Sequence, residues 1–154
     1  MSRLVETVAT RMSSPETAPT ASKAAGLYMI CTLSKDAAMA NGYADALMLD
    51  YRGYVAEATG ANIFFVKDGE VHTPIPDAIL NGITRQTVIG MLKGMGVNVI
   101  ERRIEAAELE GFQQCFLTGT AAEVTPVGQI GDYNFEVGDL CKQISTDYEK
   151  LVRA

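Results

Sequence analysis

Two hydrophobic periods alternate along this chain, and together they predict its elements. From Ala21 to Ala40 the residues are alanine-rich with Leu, Met and Ile interspersed, a composition that predicts a helix, which Gly42 would stop. Short apolar runs follow. Ala46 to Asp50 and Tyr54 to Ala58 read as strands around a Tyr51-Arg52-Gly53 turn. Asn62 to Lys67 and Glu70 to Thr73 flank Asp68-Gly69, a hairpin signal of the favoured kind, and Pro74 and Pro76 are expected to end that part of the sheet. A helical period returns over Arg85 to Met95, with Val88, Ile89 and Leu92 on one face and Gly96 as its stop. Val97 to Ile104 reads as a strand, Ala106 to Gly111 as a short helix, and Cys115 to Thr118 and Glu123 to Ile130 as strands. Val137 to Arg153 closes the chain as an amphipathic helix carrying Leu140, Ile144, Tyr148 and Leu151 at helical spacing.

Strands and helices alternate, yet the tight hairpin demands antiparallel pairing, so the expected class is mixed α/β (α+β) around one core. Met1 to Pro19 is polar and ends in turn-forming Ser-Ser-Pro and Ala-Pro-Thr groups. That segment is expected to be a leader, a truncation point or an interdomain linker, with the domain proper at residues 20–154.

Composition narrows the function. Of 154 residues, 47% are hydrophobic and 21% charged, enough apolar material for a real core. The net charge of −6, with no cluster of Lys and Arg, argues against nucleic acid or an anionic membrane as partner. No apolar run approaches the length that crosses a bilayer. Three scattered cysteines (Cys31, Cys115, Cys141) and one histidine (His72) give no metal site or disulfide framework, and such cysteines fit a reducing compartment, the cytoplasm by default. His72, at a strand end, is expected to be structural or solvent-facing.

Three local features could carry chemistry. Lys23 in APTASKAAG is surrounded by small apolar residues; desolvated there, it would suit imine chemistry, while a solvated lysine at a helix start is the plainer alternative. Gly82-Ile83-Thr84-Arg85, at a loop-to-helix junction, could present amides and a hydroxyl to a phosphate, or could be an ordinary glycine turn with a threonine cap. Thr118-Gly119-Thr120-Ala121-Ala122 combines a strand end with small residues whose backbone a ligand can approach, or is only a tight turn. Glu57 sits between two alanines on or near a strand. A lysine, a carboxylate and two phosphate-type loops are the set that pyridoxal phosphate requires.

The segments APTASKAAGLYM, GYVAEATGANIFFVKDG, LNGITRQTV and FLTGTAAEVTPV occur in that order and resemble the large domain of the fold-type IV pyridoxal-phosphate enzymes, above all the branched-chain amino-acid aminotransferases. The resemblance runs from Pro19 to the C-terminus. It implies the cofactor-binding domain of the D-amino-acid aminotransferase-like fold, a mixed sheet or pseudo-barrel with flanking helices. It makes Lys23 the Schiff-base lysine and proton shuttle, Tyr28 the partner of the cofactor's phenolic oxygen, and Glu57 the partner of its pyridine nitrogen. Leu80 would pack on the ring. Ile83 and Thr84, with Gly119 and Thr120, would hold the phosphate, and Thr120 and Ala121 would present N–H groups to the substrate carboxylate.

By the same resemblance the reaction is transfer of the amino group of branched-chain L-amino acids to 2-oxoglutarate, in a homodimer. The family's smaller N-terminal domain, which shapes substrate choice, is expected to be missing, so the chain would act with a complementing domain or be inactive alone. A D-amino-acid aminotransferase, an aminodeoxychorismate lyase, or a catalytically silent remnant serving as an interaction module are the alternatives. Lys23, Glu57, Thr84 and Thr120 occurring together argue against the last.

Overall fold

The computed structural model describes residues 3–154, and β-strands dominate it. The strands are β1 (Arg3–Arg11), β2 (Asp45–Leu49), β3 (Val55–Ala58), β4 (Asn62–Lys67), β5 (Glu70–Pro74), β6 (Val99–Arg102), β7 (Gln114–Gly119), β8 (Glu123–Ile130) and β9 (Tyr133–Asn134). They form one sheet in the order β3-β2-β1-β8-β7-β4-β5-β6, with β9 paired to β8. Pairing is parallel for β1 with β2 and with β8, and for β5 with β6; the other neighbours run antiparallel. The two ends of this order meet. Tyr54 bridges Glu105, and the Val55 N–H donates to the Ile104 carbonyl at 2.8 Å. The sheet therefore curls into an incompletely closed barrel, flanked by α1 (Met29–Ala40), α2 (Ile83–Gly94) and α3 (Asp139–Val152). This is the mixed α/β architecture that the sequence leads one to expect.

The run Asn62 to Val66 is buried throughout because both faces of β4 are covered, which is why it reads as continuous apolar sequence rather than as alternation. Phe65 faces a core shared with Val5, Leu47, Val55, Ile63, Leu117 and Ile130, which fills the curl. Phe64 faces the other way, into a core made with Val88, Leu92, Phe116, Ile144 and Tyr148 under α2 and α3. Phe64 stacks on Phe116 at 4.9 Å between ring centroids, and Phe65 on Phe112 at 4.8 Å. Asp68 and Gly69 both take positive φ (50° and 83°), so the β4–β5 hairpin turns as the Asp-Gly signal demands.

The reading of residues 1–19 as leader or linker needs correction. Arg3–Arg11 form β1 in the middle of the sheet, between β2 and β8, and Val5 is fully buried. The strand hides because Glu6 interrupts its apolar residues, although Val5, Thr7, Val8 and Thr10 are β-branched types. Met1 and Ser2, part of the same reading, lie outside the described residues. The first predicted helix also starts late. Residues 21–24 are non-helical, Ala25–Leu27 form one 3-10 turn, and only Met29–Ala40 are α-helical. Alanine favours helix, but Gly26 disfavours it and no side chain caps the start of α1. α2 begins two residues earlier than expected, at Ile83, and β6 covers only Val99–Arg102 of the longer stretch read as strand.

Two ionic clusters hold the loop between β5 and α2. Asp50 Oδ1 accepts the N–H groups of Arg52, Gly53 and Tyr54 (2.8, 2.9 and 3.0 Å), fixing the β2–β3 turn. Arg52 then bridges Asp50 (2.6 Å) and, with both terminal nitrogens, Asp77 (2.7 and 2.9 Å), while Arg103 reaches Asp77 at 3.1 Å. At the other end the buried Arg85 guanidinium donates to the Asn81 side chain, the Pro74 carbonyl and Glu101 (2.8, 2.9 and 2.7 Å). The loop from 75 to 82 is thus tied at both ends by charge-assisted bonds.

Candidate active site

That tethered loop forms one wall of a cavity of about 250 Å³. Lys23 enters it from the extended segment before α1, and Tyr28 from the residue that caps α1. Glu57 comes from β3, Leu80 from the loop, Ile83 and Thr84 from the first turn of α2, and Gly119 and Thr120 from the end of β7. Eight of the nine residues named from the sequence therefore share one cavity. Ala121 is not among its lining residues and is exposed in the turn beyond Thr120.

The electrostatics divide the cavity. Burial pushes the Glu57 carboxyl up to about 8, so near neutral pH it holds a proton. Tyr28 is also raised, first by burial and then by the nearby charge of Glu57 and of Cys31. At the opposite wall α2 presents its N-terminus. Gly82 caps it without any side-chain hydrogen bond, leaving the first-turn amides and the positive end of the helix dipole for an anion. Lys23 is exposed, so of the two readings left open the solvated lysine holds, though in an extended segment rather than at a helix start; Ala21, Ser22 and Ala25 are exposed too.

Asn62 drew no attention in the sequence as a site residue, and Thr118 only as a strand end. Asn62, at the head of β4, donates from Nδ2 to Glu57 Oε2 (3.1 Å) and to the Leu80 carbonyl (2.9 Å). An asparagine opening an apolar strand is itself a signal, because strands disfavour it without a partner. Thr118 pairs across from Asn62, and its Oγ1 is buried with no hydrogen-bond partner. Tyr148, on α3, donates to Thr84 Oγ1 at 3.4 Å and ties the closing helix to the start of α2. Two glycines permit close packing: a Cβ on Gly82 would lie 2.5 Å from Asn62 Oδ1, and one on Gly119 would lie 3.3 Å from the Gly60 carbonyl.

Outside the cavity, His72 is buried. Its Nδ1 accepts from Arg102 Nε at 3.1 Å and its ring packs on Phe112, a structural arrangement in which burial and then Arg102 lower its pKa. Cys31, Cys115 and Cys141 are free and buried. Among the described residues no group of three His, Cys, Asp or Glu is placed to hold a metal ion, and no helix is long and apolar enough to cross a membrane.

Comparison with known proteins gives the family and the fold. The amino-transferase class IV family matches residues 2–130. A probable branched-chain-amino-acid aminotransferase of Rickettsia felis is 44% identical over 147 residues, 93% of this chain and 51% of its own. The crystal structure of a branched-chain aminotransferase of the archaeon Thermoproteus uzoniensis with norvaline superposes with a TM-score of 0.95 at 34% identity, over 98% of this chain and 51% of that one. An aminotransferase of Brucella abortus, bound to the cofactor PLP, superposes with a TM-score of 0.93 at 33% identity, over 99% of this chain and 55% of its own. The chain spans about half the length of these relatives. It belongs to the class IV aminotransferase family.

Proposed function

We propose that the chain is the lysine-bearing, pyridoxal-phosphate-binding part of an aminotransferase that moves the amino group of branched-chain L-amino acids to 2-oxoglutarate. The observation that carries this reading is the gathering of Lys23, Glu57 and the uncapped start of α2 around one cavity. The donor set fits the cofactor. Thr118 Oγ1, buried and unpartnered on a lining residue, and the open amides of α2 are polar groups awaiting an acceptor.

When bound, pyridoxal phosphate supplies an aldehyde carbon and an electron-accepting ring. Lys23 Nζ is the amine that would hold the aldehyde carbon and, once displaced by substrate, carry the proton from substrate Cα. Glu57 would face the ring nitrogen, and the proton that its carboxyl holds near neutral pH is the one that nitrogen needs. Tyr28 would donate to the phenolic oxygen and Leu80 would cover the ring. The amides of Ile83 and Thr84, the Thr84 hydroxyl, Gly119 and Thr120 would bind the phosphate. Thr120 and Ala121 would offer N–H groups to the substrate carboxylate.

On this reading the large domain includes β1, and a complementing N-terminal domain finishes the substrate pocket. Exposed Met29 and Leu33, one turn apart on α1, support association into a homodimer. Free buried thiols support a cytoplasmic site. The test is a spectral titration of the chain with pyridoxal phosphate, then addition of a complementing N-terminal domain with L-leucine, D-alanine and aminodeoxychorismate as substrates. A cofactor spectrum in the chain, discharged by leucine once the domain is added, is expected; no spectral change at saturating cofactor would remove the assignment.

A further inference from the structure

Asn62 stands at the junction of the two halves of the cavity, and both hydrogens of its amide nitrogen are committed. One Nδ2 hydrogen goes to Glu57 Oε2 at 3.1 Å and the other to the Leu80 carbonyl at 2.9 Å. Oδ1 lies against Gly82, where even a methyl group would come within 2.5 Å of it. The side chain is buried, and β4 on which it sits is locked between β5 and β7.

Two consequences follow from hydrogen-bond capacity alone. Nδ2 can only donate, so Glu57 Oε2 accepts in either protonation state, and the bond orients the carboxyl. The same amide fixes the distance between Glu57 and the Leu80 carbonyl, and the chain from Leu80 leads within three residues to Ile83 at the start of α2. Ring-nitrogen partner and phosphate wall are therefore set by one side chain.

We propose that Asn62 is a positioning residue of the cofactor site: it orients the Glu57 carboxyl through Oε2 and holds the Leu80–Thr84 wall at a fixed distance from that acid. This rests on the pyridoxal-phosphate reading for its purpose, though the coupling of Glu57 to Asn62 can be measured without any cofactor.

The test uses the full chain and two readouts. In the first, glutamate carboxyls are labelled with carbon-13 and Glu57 is identified by its loss in Glu57→Gln; its titration is followed in the parent and in Asn62→Ala. Losing a donor to the charged form should raise the Glu57 midpoint by about one unit. In the second, pyridoxal phosphate affinity should fall about tenfold or more, because the acid and the phosphate wall no longer share one support. Asn62→Asp, close to isosteric and lacking the donor, should also raise the midpoint. Gly82→Ala, which drives Oδ1 away while keeping the asparagine, should lower affinity and serves if Asn62→Ala does not fold. A folded Asn62→Ala or Asn62→Asp with an unmoved Glu57 midpoint overturns the proposal, whatever happens to affinity. If the parent chain fails to take up pyridoxal phosphate while the midpoint shift appears, the functional reading fails and the coupling stands.

Discussion

Replacing Glu57 by glutamine should make the cofactor-free chain more stable at alkaline pH and a poorer cofactor binder. Glu57 faces the cavity and accepts a hydrogen bond from Asn62, and burial raises its carboxyl from an ordinary 4.5 to about 8. The folded chain thus holds this proton more tightly than the unfolded chain. Below about pH 4.5 both states are protonated and there is no penalty; between about 4.5 and 8 the penalty grows, and above that it is constant. At about 1.4 kcal/mol per unit, the full gap has an upper bound near 5 kcal/mol, and structural relaxation brings the expected effect to about 2–3 kcal/mol. Glutamine cannot ionise, yet it can still accept from Asn62. Urea unfolding of parent and Glu57→Gln at about pH 4 and about pH 8.5 measures the difference: near-equal stability at the lower value, the variant ahead by about 2–3 kcal/mol at the higher. Pyridoxal phosphate affinity should move the opposite way, down by about tenfold or more, because a charged partner is lost. A variant no more stable than the parent at alkaline pH would refute the reasoning about a buried, unpaired acid.

Other expectations are simpler. Tyr148→Phe keeps the packing of α3 but removes the donor to Thr84 Oγ1; since that bond is 3.4 Å long, stability should change by less than about 1 kcal/mol, with phosphate or cofactor affinity down a few-fold by isothermal titration. Asp77→Ala removes the shared partner of Arg52 and Arg103 and should cost about 1 kcal/mol of thermal stability, less at high salt, because the cluster is partly exposed. Phe65→Ala opens the core inside the curl and should cost about 3–5 kcal/mol by denaturant unfolding; a loss under about 1 kcal/mol would contradict the packing described.

What the sequence revealed and what it hid have physical reasons. The Asp68-Gly69 hairpin, the helix under Val88, Ile89 and Leu92, and the closing helix were legible because each is set by local rules: turn chemistry in the first case, helical period in the others. β1 was not. Its place in the sheet is decided by parallel pairing with β2, some forty residues on, and with β8, over a hundred residues on, and nothing local announces such partners. The curl of the sheet is likewise invisible in sequence, since it depends on Tyr54 meeting Glu105.

The cavity divides in the same way. Lys23, the Gly82–Thr84 junction, the Gly119–Thr120 turn and Glu57, a carboxylate between two alanines, could be picked out because small residues and special backbone positions stand out, and family motifs supplied Tyr28 and Leu80. Asn62 was missed, and Thr118 noted only as the strand end of its segment, because their importance lies across strands, each opposite the other in the β4–β7 register. Their signal was only a polar residue at the end of an apolar run. The surroundings of Lys23 stayed open for a related reason: small neighbours along the chain say nothing about what covers them in space.

The central claim is that Lys23 is the amine that takes the cofactor. Incubation of the chain with pyridoxal phosphate, reduction with borohydride and peptide mapping by mass spectrometry would test it most directly. The account predicts one reduced phosphopyridoxyl group, on the peptide containing Lys23, and its loss in Lys23→Ala. Labelling spread over Lys35, Lys67 and the other surface lysines, with Lys23 no more modified than they are, would contradict it.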